Sequence, residues 1–147
     1  MKKIFFLLIL LAFAITCRAQ QKYEIDFSNP ENVVNAIFYA ANTKDYAVLL
    51  CITDPFDESD VDIKRLREVP KLAELIKGVS TKEMIDLVKD FIITFSNGKI
   101  TGPAIFETHE NDLYAEIPVL ISTPIGEQIS EKITLIERYG NWYLLSF

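Results

Sequence analysis

The sequence predicts an α+β fold in which N-terminal helices pack on a four-stranded antiparallel sheet. Residues 30–95 place apolar side chains at three- and four-residue spacing, which predicts amphipathic helices. Residues 99–147 alternate apolar and polar side chains between short turns, which predicts antiparallel strands. The alternation is clearest over residues 113–121, where every second side chain is apolar. A sheet with one apolar face needs a cover, and the upstream helices can supply it.

Residues 1–19 are arranged like a secretory signal peptide. Lys2 and Lys3 precede the apolar residues 4–15, and a short polar exit follows. An apolar helix of that length reaches roughly 18 Å, well short of the ~30 Å hydrocarbon core of a membrane. A buried N-terminal helix is the alternative, but such a helix would normally carry polar side chains on one side. We therefore predict an exported protein, periplasmic or extracellular.

Two cleavage sites are compatible with this leader. Cleavage after Ala19 places the small residues Cys17 and Ala19 third and first before the cut. The alternative cut precedes Cys17, where Ala14-Ile15-Thr16-Cys17 resembles a bacterial lipoprotein box. Thr16 is bulkier than the residues such boxes favour, so ordinary cleavage is preferred. A lipid on Cys17 would instead anchor the domain to a membrane.

Residues 20–147 have the length of a single domain and are strongly acidic. Without Lys2, Lys3 and Arg18 the chain has 12 basic and 21 acidic residues, a formal charge of −9. This balance argues against a nucleic-acid partner, which requires a basic face. Cys51 lies in the apolar run 47–52, which indicates a small buried side chain.

The first two helices are predicted over residues 30–42 and 44–52. Ser28-Asn29-Pro30-Glu31 combines a capping side chain, a proline in the first turn and an acid near the helix N-terminus. Thr43 can cap the second helix, and Asp54-Pro55 ends it.

Two further helices follow. The first covers residues 61–77, is broken or kinked at Pro70 and ends with Gly78 as a left-handed cap. The next begins in a capping box at residues 80–83, with Val79 and Met84 as a hydrophobic staple, and runs to residue 95.

Charged residues cluster before and within the third helix. Residues 54–62 carry five acids, which suggests either a calcium loop or a solvated loop that caps the next helix. A calcium loop of the known twelve-residue kind needs a central glycine, which this segment lacks, so the capping loop is preferred. Lys64, Arg65, Arg67 and Lys71 form either an anion site or a solvated helix face, and we prefer the solvated face.

Four strands complete the chain. The first covers residues 99–109. Gly102-Pro103 indicates either a bend in this strand or a position at the edge of the sheet. Turns at residues 110–112, 122–126 and 140–141 separate it from the remaining three. Pro118 withholds one backbone N–H from the second strand, which suggests an edge or a bulge there.

This order of elements resembles the nuclear-transport-factor-2-like superfamily. The resemblance rests on residues 30–34 through Asp45-Tyr46-Ala47 and on residues 133–144, and it extends to small secreted bacterial members, including lumazine-binding-like and uncharacterised branches. It implies a strongly curved, cone-shaped sheet with helices on its concave side and a pocket at the open end. Members of the superfamily are isomerases, dehydratases, polyketide-cyclase-like enzymes, small-molecule binders or interaction domains, and many dimerise through the outer sheet.

Four residues are candidates for ligand binding: Tyr39, His109, Tyr114 and Glu116. Members that are enzymes use an acid or histidine base with a nearby hydrogen-bond donor. The parity of the strand, however, places Tyr114 and Glu116 on the face opposite the apolar one, toward solvent or a partner. We therefore predict no catalytic residue, and the sequence contains no metal or cofactor motif.

We predict an exported, non-catalytic binding or protein-interaction domain. Its expected partners are a small apolar ligand in the cone and a second copy bound through the outer sheet face, with a membrane only if Cys17 is lipidated. The alternative is a small cone-fold enzyme of the isomerase, dehydratase or cyclase kind that uses a pocket acid or histidine. A third hypothesis is a dimeric envelope accessory protein whose own side chains fill the pocket.

Overall fold

A computed structural model describes residues 23–57, 59–78 and 81–147. Within these residues the chain forms four helices followed by five strands, so the predicted α+β class is confirmed. The helices are α1 (Pro30–Thr43), α2 (Val48–Ile52), α3 (Val61–Leu75) and α4 (Lys82–Phe95). The strands are β1 (Lys99–Ile100), β2 (Ile105–His109), β3 (Asp112–Ser122), β4 (Gln128–Arg138) and β5 (Asn141–Ser146). The leader, including Cys17, lies outside the described residues.

The first helix begins as its sequence predicts, whereas the second is shorter than predicted. The Asn29 side chain accepts a hydrogen bond from the Glu31 N–H and caps α1, with Pro30 in the first turn. Lys44 then adopts a left-handed conformation (φ 60°) and donates its N–H to the Ala40 carbonyl. Because Lys44 ends α1 in this way, it cannot open a second helix, and α2 starts only at Val48.

Helix α3 continues through Pro70, so the helix is not broken there, and a kink at the proline stays a prediction. Three buried side chains, Ile63, Leu66 and Val69, hold the part of this helix that precedes the proline against the core. The predicted left-handed cap at Gly78 is wrong, because Gly78 does not have a positive φ. The helix ends instead at Ile76 in right-handed geometry, and the Gly78 N–H reaches the Leu75 carbonyl at 3.0 Å.

The N-terminal cap of α4 is Thr81. Its hydroxyl accepts a hydrogen bond from the Met84 N–H at 3.4 Å. The predicted capping box begins one residue earlier, at Ser80, and its hydrophobic staple pairs Val79 with Met84; Ser80 and Val79 lie outside the described part of the chain.

The five strands form one antiparallel sheet in the order β1-β3-β4-β5, and β2 lies beside β1 along the same edge of β3. The predicted first strand is therefore two short strands separated at residues 101–104. Pro118 faces this gap, since Ile105 pairs with Glu116 and Ile100 pairs with Val119. Pro118 thus lies on an interior strand and not at an edge, and its missing N–H falls where the neighbouring strand is interrupted. The bulge lies elsewhere, between Thr134 and Leu135 in the β4–β5 ladder.

The sheet curls strongly toward its apolar face. Strands three positions apart in a flat sheet are roughly 14 Å from one another. Yet the rings of Phe106 on β2 and Trp142 on β5 have centroids only 5.7 Å apart. The pairing register places both residues on the same face as Ala115 and Leu135. The concave face is therefore the apolar one, which is the face that the alternation in β3 defines.

The core lies between this face and the helices. Helix α1 contacts β1, β3 and β5, and α4 contacts β3. The inward side chains of β3 and β4 are almost fully buried: Ala115, Ile117, Val119, Ile133 and Leu135.

Both faces of β5 are covered. Neighbouring residues of a strand alternate between its faces, so alternation predicts that one of Trp142 and Tyr143 lies at the surface, but both are buried, at 6% and 2% exposure. Trp142 packs against Phe106, while the Tyr143 ring contacts Phe27 from the segment that precedes α1. The Trp142 N–H also donates to the Phe27 carbonyl at 2.8 Å. The alternation rule assumes one solvated face, and this segment removes it.

Cys51 is buried within α2, as predicted, and its thiol lies 3.8 Å from the Ala47 carbonyl oxygen. None of the helices in the described residues is long and apolar enough to cross a membrane.

Candidate functional site

A groove of about 270 Å³ lies between α3 and α4. The turn after β3 and the end of the chain close its sides. Its lining residues are Asp62, Arg65, Leu66, Val69, Leu87, Asp90, Phe91, Thr94, Phe95, Pro124 and Phe147.

The floor of the groove is apolar and buried. Leu66 and Val69 lie one turn apart on α3, and Phe91 and Phe95 lie one turn apart on α4. The rings of Phe91 and Phe95 are 5.3 Å apart, and the Phe147 ring meets Phe95 edge-on at 5.6 Å. Phe91 and Phe95 are therefore both core residues and lining residues of the groove.

The polar groups of the groove lie at its rim. Arg65 and Asp62 form an ion pair at 3.6 Å in which both side chains are well exposed to solvent. Asp90 is exposed on α4, and Thr94 is half-buried beside it. The groove can thus hold an apolar group on its floor and meet polar or charged atoms only where it opens to water.

The structure places none of the four predicted ligand residues in this groove. Tyr39 on α1 stacks on Tyr23 with ring centroids 4.0 Å apart. His109 is exposed at the end of β2, opposite Asp112. Tyr114 and Glu116 lie on the convex face of the sheet, as strand parity predicts, and both are half-buried.

Glu116 is already engaged in an ion pair on that convex face. The Lys132 ammonium donates to the Glu116 carboxylate at 2.5 Å across the β3–β4 ladder. This carboxylate raises the pKa of Lys132 above its ordinary value, with a smaller contribution from Glu107. The convex face therefore brings Glu116 and Glu107 near Lys132, and Tyr114 lies opposite Glu107, while Tyr39 belongs to a different contact. Ligand binding by these four residues stays a prediction.

A buried charge cluster, which the sequence did not indicate, lies at the end of α2. The Asp54 side chain is only 1% exposed and accepts from the Phe56 N–H at 3.0 Å and from Arg138 at 3.3 Å. Arg138 also donates to Asp112 at 3.1 Å. Arg67 donates to the Thr53 hydroxyl at 2.7 Å and to the Asp54 carbonyl at 2.5 Å. These bonds tie α2, α3 and the sheet together, so we assign the cluster a structural role.

The acidic segment caps α3. The Asp60 carboxylate accepts from the N–H groups of Asp62 and Ile63, each at 2.9 Å. The Asp57 carboxylate accepts from Ser59, which lowers the pKa of Asp57. Across the described ranges, no three His, Cys, Asp or Glu side chains are grouped so as to hold a metal ion. The capping interpretation is confirmed for Asp60.

The basic residues of α3 do not form one patch. Arg65 pairs with Asp62 at the groove rim, Arg67 turns inward to Thr53, and Lys64 and Lys71 are exposed. The four basic residues therefore lie in three different environments: at the groove rim, in contact with Thr53 and on the exposed surface of the helix.

The fold and groove together define a small α+β domain with helices packed on an open, curled antiparallel sheet. Comparisons with protein-family models, with curated proteins and with solved structures found no match.

Proposed function

We propose that this chain is a non-catalytic binding domain whose ligand site is the groove between α3 and α4. The observation that carries the proposal is the composition of the groove: a buried floor of leucine, valine and phenylalanine side chains, with every ionisable group at the solvent-exposed rim. General acid–base catalysis needs a base held against the substrate. The candidate base and donor residues, His109, Tyr114 and Glu116, lie on other surfaces, which favours binding over the cone-enzyme alternative.

The ligand is a small apolar group. An apolar cavity of roughly 150 Å³ accommodates benzene, and drug-sized ligands occupy roughly 300 Å³ or more. The groove volume of about 270 Å³ therefore suits one aromatic ring or a short acyl chain. The curled, helix-covered sheet supports the proposed membership of the nuclear-transport-factor-2-like superfamily. Export and dimerisation through the convex face stay predictions, the first because the leader lies outside the described residues.

Fragment titration of the methyl-labelled protein, followed by NMR, tests the binding site. Indole and hexanoate should shift the methyl resonances of Leu66, Val69 and Leu87 saturably, because these side chains line the groove. Thr94→Trp should fill the groove and weaken binding by about tenfold or more, which corresponds to about 1.4 kcal/mol.

Ile93→Trp is the matched control, since Ile93 is next to Thr94 on α4 but lies outside the groove. It should leave fragment binding unchanged. The proposal fails if neither fragment shifts these methyl groups, or if the two tryptophan variants weaken binding equally.

A further inference from the structure

We propose that the open edge of β2 is a docking site for an extended, basic segment of a partner protein, which adds to the sheet as one more strand. This surface is separate from the groove between α3 and α4, so the inference does not depend on the proposed function.

The two edges of the sheet differ. At the β5 edge, Thr53 forms a β-bridge with Leu144, and the Asp54 N–H donates to the Leu144 carbonyl at 3.0 Å. At the other edge, and within the part of the chain that the structure describes, β2 pairs with β3 alone. A strand with one partner directs alternate backbone N–H and C=O groups outward, where an added strand can bond them.

The side chains of β2 are exposed on both faces of the sheet. All five of its residues are exposed, including the large apolar side chains of Ile105 (47%) and Phe106 (56%). Sheet edges are commonly protected by lysine or proline, and β2 contains neither. The buried Trp142 ring packs against the Phe106 ring. An apolar side chain of an added strand that contacts Phe106 would therefore extend an existing aromatic contact.

The acidic side chains on and next to β2 favour a basic partner. Glu107 is exposed at the centre of β2, and Glu110 follows in the turn. Lys132, the basic side chain near Glu107 on the convex face, is held by Glu116 at 2.5 Å. The chain as a whole has a formal charge of −6. An added strand with a lysine opposite Glu107 gains a cross-strand ion pair on one face, while its neighbouring residues cover Phe106 on the other.

A second copy of the chain fits this edge less well. Antiparallel pairing of two β2 strands about their centre would place Glu107 opposite the same residue of the other copy, and like charges opposite one another destabilise a ladder. The observations therefore favour a partner of opposite charge.

The probe for this edge is a disulfide-closed hairpin peptide whose outer strand reads Thr-Val-Lys-Val-Thr. Titrated into the full isotopically labelled chain, it should shift the backbone amides of β2 saturably. A peptide N-methylated at both valines should not bind, because it lacks the N–H groups that would bond the edge.

A charge reversal provides the decisive comparison. Glu107→Lys should weaken binding of the lysine peptide by about tenfold, about 1.4 kcal/mol, and should confer binding of the same hairpin with glutamate in place of lysine. Ile125→Ser, at an exposed turn residue away from this edge, is the control and should change neither affinity.

Three results would overturn the proposal. These are the absence of β2 amide shifts with the lysine hairpin, equal binding of the N-methylated hairpin, and self-association through β2 detected by sedimentation. Loss of fragment binding to the groove, by contrast, would leave this proposal intact.

Discussion

At the scale of single residues, Gly98 is required by packing and not by backbone conformation. The sequence assigns it only a role in ending a helix. In the structure a Cβ atom on Gly98 would overlap the ring of Phe38, which is itself buried on α1. Gly98 does not have a positive φ, so the constraint comes from the contact between α1 and the start of the sheet.

Gly98→Ala should therefore destabilise the domain by about 2 kcal/mol, the typical cost of overpacking a core. Urea unfolding measures the loss. Gly78→Ala is the control, because among the described residues a Cβ there meets only the Leu75 carbonyl, at an ordinary 3.7 Å. In a Phe38→Leu background the alanine should cost clearly less; an equal cost in both backgrounds would rule out the ring as the cause.

At the scale of single elements, local signals place the helix ends and most helix starts to within about two residues, but they miss the start of α2. Asn29, Asp60 and Thr81 each accept a hydrogen bond from a backbone N–H in the first turn of a helix. These starts depend on side chains within three residues and can be read from the sequence. The continuation of α3 through Pro70 has no such local signal, and the buried side chains Ile63, Leu66 and Val69 hold only the part of the helix before the proline against the core.

The cap of α3 gives a direct test at this scale. Asp60→Ala should lower the free energy of unfolding by about 1 kcal/mol, because two N–H groups at 2.9 Å lose their acceptor. Asp60→Asn retains an acceptor oxygen, so its free energy of unfolding should remain close to that of the parent protein. If urea unfolding shows equal losses for both variants, the negative charge and not the cap is responsible.

At the scale of the whole molecule, Arg138 joins parts of the chain that are distant in sequence. It reaches the buried Asp54 after α2 and also Asp112 at the start of β3. Since the Asp54 side chain is almost fully buried, removing Arg138 leaves its carboxylate without an ion-pair partner among the contacts described above.

Arg138→Ala should destabilise the domain by about 3 kcal/mol for this reason. Arg65→Ala removes only the exposed ion pair with Asp62 and should cost about 0.5 kcal/mol or less. Asp54→Asn should reduce the effect of removing Arg138, as a double-mutant cycle in urea would show. Equal losses for the two arginine variants would contradict a structural role for the buried cluster.

The candidate groove could be predicted only in part. Phe91 and Phe95 are four residues apart in a predicted helix, so the sequence predicts that both side chains lie on the same face of that helix. Their meeting with Leu66 and Val69 across two helices, and with Phe147 from the end of the chain, has no local signature. Likewise, Glu116 follows from strand parity as a convex-face residue, but its pairing with Lys132 depends on the β3–β4 register.

The sequence by itself determines the class of fold, the main helix caps, the turns and the apolar face of β3. These features depend on hydrogen-bonding side chains and on periodicity within one element. The tertiary structure alone decides the burial of Asp54, the cover on both faces of β5, the division between β1 and β2 and the groove. Each of these depends on which distant segments meet, and contacts between distant segments leave no fixed spacing in the sequence.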